Sequence, residues 1–493
     1  MRKILALGLT GIVLCGSLSA CAPSNKMDIS GVVIPTFEET EGVDFIAYAG
    51  MTVENWSGTQ RNVNTLTDEH FEKFVDAGFN TMLALYEGAP RGKGADAYET
   101  IEMHSSYAGP DALRALELAE KYDVKYYVRD WPFYALCDYW TEGINTEEAY
   151  RTVLTKMFDE NNQYIHSPAY AGNFGRDEPG VDQYEMLEWQ IKIYYEIMEE
   201  YGIDGEFFLN LLPNYGSDQS YGGHIFGAPC SYTEYVDQYF EKLAPLLGYV
   251  SYDYYPFKSD AKTGSAMRTT MAANLQTMAL KCKEGGYELR TFVQTGGDWT
   301  GLRDLTSVGD FRFQVYTNLA FGSKKISYYT YGNFTSEADG DFALLNMQDG
   351  TYNYTYDLAK TVNNEVHKFE DAYLHYDYDG LMCYSALPAG QINVNFRSVP
   401  NKMTSHPRIA DVKVEQDAIM TAFKDADGND AFMLVNYTDP YFDLDNQVTV
   451  KFNDAKALLM YRFGEEHVVA LNKDGTYTFD LYPGEGRFII PLK

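Results

Sequence analysis

From residue 45 onward the chain alternates two hydrophobic periods. Short apolar or aromatic runs, each closing on polar residues, give way to longer stretches with apolar positions three and four apart. The runs predict strands at Phe45–Gly50, Phe79–Leu85, Val124–Asp130, Tyr170–Gly175, Phe207–Pro213, Tyr249–Pro256, Leu289–Thr295 and Lys325–Tyr331. The stretches between them predict helices. One opens on Thr67, with Asp68 and Glu69 in its first turn, and closes at Ala77-Gly78. The next, Asp111–Tyr122, carries Leu113, Leu116 and Ala119 on one face. Thr146–Asn161, Val181–Tyr201, Tyr232–Leu246, Ser265–Glu284, Val308–Gly322 and Asp357–Leu374 follow. Strands that alternate with helices form parallel sheets. Eight such units close into a (β/α)₈ TIM barrel. An open doubly wound sheet would carry a glycine-rich phosphate loop after its first strand, and Ala49-Gly50-Met51-Thr52 is not one.

Near residue 375 the helical period stops. Short alternating strands take over at Gln391–Phe396, Ala418–Lys424, Ala431–Tyr437, Gln447–Phe452, Ala457–Tyr461 and Thr476–Leu481, with turn signals such as Asp474-Gly475 between them. This texture predicts a C-terminal all-β sandwich domain. The acidic run Asp425–Asp430 has the look of a calcium loop, but its twelfth position is Asn436 where a bidentate Glu is needed, so a hairpin turn is expected there.

The first residues change the picture of where the protein works. Arg2 and Lys3 precede an apolar run, Ile4–Leu14, and Leu18-Ser19-Ala20-Cys21 follows. That layout is a signal peptide, and its last four residues resemble a bacterial lipobox in which Cys21 carries the lipid. The expected organisation is a leader over 1–20, a lipidated tether over 21–40, a barrel over 41–375 and a sandwich over 376–493, held extracytoplasmically at the cell envelope. Four cysteines remain beyond Cys21: Cys137, Cys230, Cys282 and Cys383. They form no CxxC pair, so neither a zinc site nor a disulfide framework is expected. No metal and no other cofactor is expected.

Charge narrows the partners. With 39 basic and 71 acidic side chains the formal charge is −32, and such a surface repels nucleic-acid phosphates and anionic lipid. The membrane is therefore expected to matter only through the Cys21 lipid. The 42 tyrosines are too many to bury without hydrogen-bond partners, so part of them belongs at cleft rims.

A TIM barrel places its chemistry at the C-terminal ends of its strands. Those ends carry Tyr48; Glu87; Asp130 and Trp131; Arg176, Asp177 and Glu178; Asn210; Tyr252, Asp253 and Tyr255; Gln294 and Trp299; and Tyr329. The ring is made of carboxylates, amides and aromatics, with no G-x-S-x-G elbow. Acetal cleavage needs one acid to protonate the leaving oxygen and a second group to meet the oxocarbenium-like centre. Aromatic rings stack on pyranose faces, and amides and acids bind hydroxyls.

Asp177-Glu178-Pro179 after the fourth strand resembles the Asn-Glu-Pro of the clan A glycoside hydrolases. Phe311–Phe321 followed by Lys325–Tyr331, and the ending Leu481–Gly486, resemble family 42-like β-galactosidase relatives, which pair a barrel with small β domains. The resemblance implies that Glu178 is the general acid/base. It departs at two positions: Asp177 stands where the clan has Asn, and Gln294 stands where the clan has its nucleophilic Glu. Tyr252-Asp253 is similar to the sixth-strand pair of family 18 chitinases. The adjacent Asp177-Glu178 resembles family 20 hexosaminidases, in which the Asp steers a substrate acetamido group. The resemblances imply a glycoside hydrolase with Glu178, Asp253 and Asp177 as its catalytic acids. The ring residues Tyr48, Glu87, Asp130, Trp131, Asn210, Tyr252, Tyr255, Gln294, Trp299 and Tyr329 are then the candidate sugar contacts. The alternative is a glycan-binding lipoprotein that keeps the barrel and has lost catalysis.

Overall fold

The computed structural model describes residues 25–52, 63–84, 110–137, 146–159, 162–223, 227–297, 301–333, 343–388, 391 and 393–493. Eight parallel strands form one sheet: β1 (Asp44–Tyr48), β2 (Thr81–Leu83), β3 (Lys125–Val128), β4 (Tyr170–Asp177), β5 (Glu206–Asn210), β6 (Tyr249–Asp253), β7 (Glu288–Gln294) and β8 (Ser323–Tyr329). Their order runs β5-β4-β3-β2-β1-β8-β7-β6. The two ends of that order meet. Leu211 bridges Tyr252 in parallel, with Leu211 N donating to Ser251 O (2.9 Å). The sheet therefore closes into the expected TIM barrel.

Alternation along each strand builds two hydrophobic layers. Ile46, Tyr48, Leu83, Tyr127, Phe174, Phe208 and Phe292 point inward and fill the barrel. Phe45, Ala47, Tyr126, Val128, Phe207, Leu209, Val250, Tyr252 and Val293 point outward and pack on the helices. With both faces covered, each strand reads as an almost unbroken apolar run. The N-terminal end of the barrel is closed by ions: Arg290 donates to both oxygens of Glu206 (2.8 Å each) and to Glu288 (2.6 Å), and Lys325 pairs with Asp44 (3.2 Å).

The helices fall largely where the pattern placed them, including Asp68–Asp76, Pro110–Lys121, Tyr184–Tyr201 and Val308–Ala320. The predicted helix Ser265–Glu284 is the main correction. Its first residues belong instead to a hairpin of Phe257–Asp260 and Gly264–Met267, and the helix runs over Met271–Gly285. Asp260 makes the turn: its Oδ1 accepts from Lys262 N, Thr263 N and the Thr263 hydroxyl, and Gly264 takes φ +85°. The expected strand Gln391–Phe396 is also corrected. Asn393 caps a short helix, Val394–Arg397, through Asn395 N (2.8 Å).

Beyond the barrel come β9 (Asp377–Tyr384), β10 (Ile409–Val414), β11 (Ala418–Lys424), β12 (Asp430–Asn436), β13 (Asn446–Phe452), β14 (Ala457–Arg462), β15 (Glu465–Ala470), β16 (Thr476–Leu481) and β17 (Gly486–Leu492). They form a six-stranded sheet, β9-β11-β12-β17-β14-β15, facing a three-stranded sheet, β10-β13-β16. Asp425 caps the β11–β12 turn, accepting from Asp427 N and Asn429 N. Phe432, Leu434, Val448, Val450 and Phe479 fill the sandwich. On the other face of the larger sheet, Met433, Val435, Phe488 and Ile490 join the barrel's outer core. One sheet thus serves two cores. At the same junction buried Arg303 pairs with Asp310 and with Asp439 of the sandwich (3.1 Å to the latter), and the Ser265 hydroxyl donates to Asp439 (2.7 Å). The sandwich is thereby tied to the hairpin that follows β6.

Candidate active site

Three neighbouring strands deliver the acids and the amide between them. Asp177 ends β4 and Glu178 follows it, Asn210 ends β5, and Asp253 ends β6. Asn210 lies on the inward face with Phe208, and Asp253 on the inward face with Ser251. Glu178 sits at φ +46°, in the left-handed region, and its N–H donates to Asn210 O (2.9 Å). A bulky residue in that conformation costs on the order of 1 kcal/mol or more, and such positions cluster at functional sites. Glu178 does not cap a helix: the turn after it begins at Val181 behind Gly180.

The Glu178 carboxyl hydrogen-bonds the Asp253 carboxyl. Burial, the Asp253 charge and the Asp177 charge together push Glu178 up to about 10, against the opposing pull of Arg176. Burial and the Asp177 charge push Asp253 up to about 7, while hydrogen bonds from its surroundings, Asn210 among them, hold it lower than Glu178. Two carboxyls in contact cannot both ionise, so the pair keeps a proton at neutral pH, and it rests on Glu178.

Asn210 joins the acids. Its Nδ2 donates to Asp253 Oδ1 (3.2 Å) and Asp177 Oδ1 (3.5 Å), and its Oδ1 accepts from the Ser251 hydroxyl (2.9 Å). Asp177 is gripped from the opposite side by the Tyr48 hydroxyl (3.3 Å), which in turn accepts from Arg129 Nη1 (2.9 Å). The Arg129 guanidinium lies 4.4 Å from the Phe174 ring centroid. Arg176 donates to the Tyr134 hydroxyl (3.1 Å). Three rings run across the mouth: Tyr48 and Tyr329 have centroids 5.5 Å apart, as do Tyr329 and Tyr255. Tyr255 and Tyr329 are half-buried. Tyr255 is held by Tyr215, whose hydroxyl accepts from Tyr255 N (3.2 Å).

Several expected contacts are corrected. Tyr252 points outward into the helix layer, fully buried. Asp130 is also fully buried, with Oδ2 accepting from Tyr164 (2.9 Å). Gln294 is fully buried and ties backbone together: Oε1 accepts from Phe257 N (3.0 Å), and Nε2 reaches Phe257 O, Gly296 O and Arg303 O. It fastens the hairpin and the following loop to β7 instead of facing a sugar. Cys21, Glu87, Trp299 and the side chain of Trp131 lie outside the described residues. Sequence reasoning missed Arg129, Tyr134 and Tyr215. Alternation signals the first, since it stands one residue before Asp130 and therefore faces the other way.

No family model matches the chain, and no curated protein matches it. Solved structures do. The β-galactosidase of the psychrophilic Marinomonas ef1 is 12% identical over 67% of this chain and 60% of its own, with a TM-score of 0.44. The cold-adapted β-galactosidase of Rahnella sp. R3 is 10% identical over 70% and 58%, with a TM-score of 0.46. The endo-β-1,4-mannanase of Thermotoga petrophila is 10% identical over 90% and 92%, with a TM-score of 0.38. The chain thus spans about three-fifths of the length of the two β-galactosidases. Likeness at this level assigns no activity, and the barrel rests on its own strand order. Among the described residues no group of His, Cys, Asp and Glu is arranged to hold a metal ion.

Proposed function

We propose that the chain is a glycoside hydrolase that uses Glu178 as its general acid and a substrate 2-acetamido group as its nucleophile. The observation that carries this reading is the contact of the Glu178 and Asp253 carboxyls at the barrel mouth. A protonated carboxyl at neutral pH is what the departing oxygen of an acetal needs. A classical retaining pair stands about 5 Å apart and an inverting pair about 6.5–9.5 Å apart, the latter leaving space for water. The Glu178 and Asp253 carboxyls interact directly with each other. They suit a mechanism in which the second carboxyl orients a nucleophile that belongs to the substrate.

The chemistry follows from the positions. The Glu178 proton passes to the glycosidic oxygen, and the bond from that oxygen to C1 breaks with its electron pair on the leaving group. The acetamido oxygen bonds to C1, while Asp253 accepts the amide N–H and offsets its growing positive charge. The Glu178 carboxylate then takes a proton from water. The water oxygen bonds to C1, the acetamido oxygen leaves, and the sugar departs with retained configuration. Asp177, fixed by Tyr48 and Asn210, keeps the local field negative and faces a sugar hydroxyl. Tyr255 and Tyr329 supply the stacking surface.

The rival reading, a glycan-binding protein without catalysis, draws on Gln294, which occupies the end of β7 with its amide committed to backbone. One screen separates the two. Purified protein and Glu178→Gln are offered aryl glycosides with and without a 2-acetamido group. Release of the aryl group from acetamido sugars by the parent alone supports the hydrolase. Glycan binding with no turnover on any substrate supports the rival.

The same proposal places the protein at the bacterial cell envelope, held by a lipid on Cys21. This rests on the basic, apolar and lipobox segments of the leader. The full chain is expected in the detergent phase on partition, and Cys21→Ser in the aqueous phase.

A further inference from the structure

The three acids do not hold their places by themselves. β5 lies between the strand that carries Asp177 and Glu178 and the strand that carries Asp253, and its last residue, Asn210, touches all three acidic residues. Its carbonyl accepts the Glu178 N–H (2.9 Å). Its Nδ2 has two protons, and two carboxylate oxygens lie within reach, one on Asp177 and one on Asp253. The Ser251 hydroxyl, donating to Oδ1, sets which end of the amide faces them. Turned the other way, the amide oxygen would meet two carboxylate oxygens and repel both. Asn210 is 3% exposed, so no solvent competes for these bonds.

We propose that Asn210 is a positioning residue that holds Asp253 as a carboxylate and so leaves Glu178 as the protonated member of the pair. A donor to an anionic oxygen stabilises the ionised form and does nothing for a protonated one. The amide therefore sorts two chemically similar acids into one base and one acid. Its backbone carbonyl does a second job by fixing the left-handed turn that aims Glu178 at Asp253.

The other groups facing this cluster do not make the same distinction. Arg176 lies on the Glu178 side and favours ionisation there, against the sorting. Asp177 disfavours charge on both neighbours. Tyr215, Tyr232 and Tyr252 feel the Asp253 charge, Tyr235 that of Glu178, and Tyr255 both; burial raises all five phenols, so they stay neutral. Tyr48 and, through it, Arg129 support Asp177 alone.

This inference deepens the hydrolase reading, but its test needs no turnover. Carboxyl-carbon NMR follows the titration of Asp253 and Glu178 in the full chain, beside Asn210→Leu, which keeps the shape, and Asn210→Ser. Hydrogen bonds to charged groups have strengths that correspond to a shift of about one pH unit or more, so the Asp253 midpoint is expected to rise by at least that much. In the parent protein, which needs no variant to fold, the Asn210 side-chain amide protons are expected to move with the Asp253 midpoint. A folded variant with an unshifted Asp253, or amide protons in the parent that ignore its titration, overturns the proposal. An inactive protein whose Asn210 and Asp253 titrate together sinks the hydrolase reading and keeps this one. An active protein without that coupling does the reverse.

Discussion

The Glu178 carboxyl hydrogen-bonds the Asp253 carboxyl across the gap between the fourth and sixth strand ends. Neither position is adjacent in sequence to the other, and β5 separates their strands. Closure of the barrel through Leu211 and Tyr252 brings them together. Shared burial and like charge then separate their affinities for a proton, which is how two similar acids take different roles.

The pH dependence of turnover follows from that separation. The proposed mechanism needs Glu178 protonated and Asp253 ionised, and the two midpoints lie at about 10 and about 7. The midpoints belong to the pair, not to either residue alone. kcat/KM on a non-ionising glycoside is expected to climb as pH passes about 7 and to fall near 10. A profile that already falls in the ordinary carboxylate range would show that Glu178 is not the protonated partner.

Tyr255 and Tyr329 form a continuous ring surface beside the acids. In the proposed function, removing either ring takes away sugar binding that is equal in the ground and transition states. Loss of one such contact is expected to raise KM about tenfold with kcat nearly unchanged in Tyr329→Ala, from about 1–1.5 kcal/mol of stacking. Steady-state kinetics on an oligosaccharide checks this. A fall in kcat at constant KM would mean that the ring acts on the reacting bond instead.

Arg303 sits buried between Asp310 of the barrel and Asp439 of the sandwich. Removing one partner from such a group strands charge in the interior. Arg303→Met is expected to cost about 3–5 kcal/mol in urea denaturation. A loss of about 1 kcal/mol or less, typical of exposed pairs, would mean that the junction tolerates the unpaired acids.

At the opposite end of the barrel Glu206 is raised by burial but lowered more by its two bonds from Arg290, by Lys325 and by Tyr127, which bring it to about 2. Its value in the folded chain is thus depressed below the ordinary 4.5. A depressed acid contributes stability that is present above its unfolded value and is lost as pH falls through the folded one. Glu206→Gln is expected to lower stability at neutral pH and to flatten the decline below pH 4.5, with kcat/KM unchanged. Denaturation midpoints across the acid range test this. An unchanged slope would show that other carboxylates carry the acid sensitivity.

The barrel was legible in the sequence because strands buried on both faces produce apolar runs that short polar ends delimit. The Gly264–Met267 strand was not, since four residues cannot display a period and the decisive event is Asp260 capturing backbone N–H groups. In the site, Asp177, Glu178 and Asp253 could be named because each stands at a strand end. Tyr252 and Asp130 were misassigned by proximity alone. Alternation turns each of them away from the barrel while Asp253 and Arg129, one residue along, face in. Asn210 could be recognised as a polar strand end, but its bridging role needs the adjacency of β4, β5 and β6. Gln294 was beyond reach, because its partners come from a hairpin and a loop that the pattern did not resolve.

The most direct measurement compares Glu178→Gln with the parent on 2-acetamido glycosides whose leaving groups range from alkyl alcohols to acidic phenols. General acid catalysis contributes about 10²–10⁴-fold where the leaving oxygen needs a proton. The expected result is a loss of that size on alkyl glycosides that shrinks steadily as the leaving group becomes more acidic. An equal loss across the series, or full activity of the variant on alkyl glycosides, would contradict proton donation by Glu178.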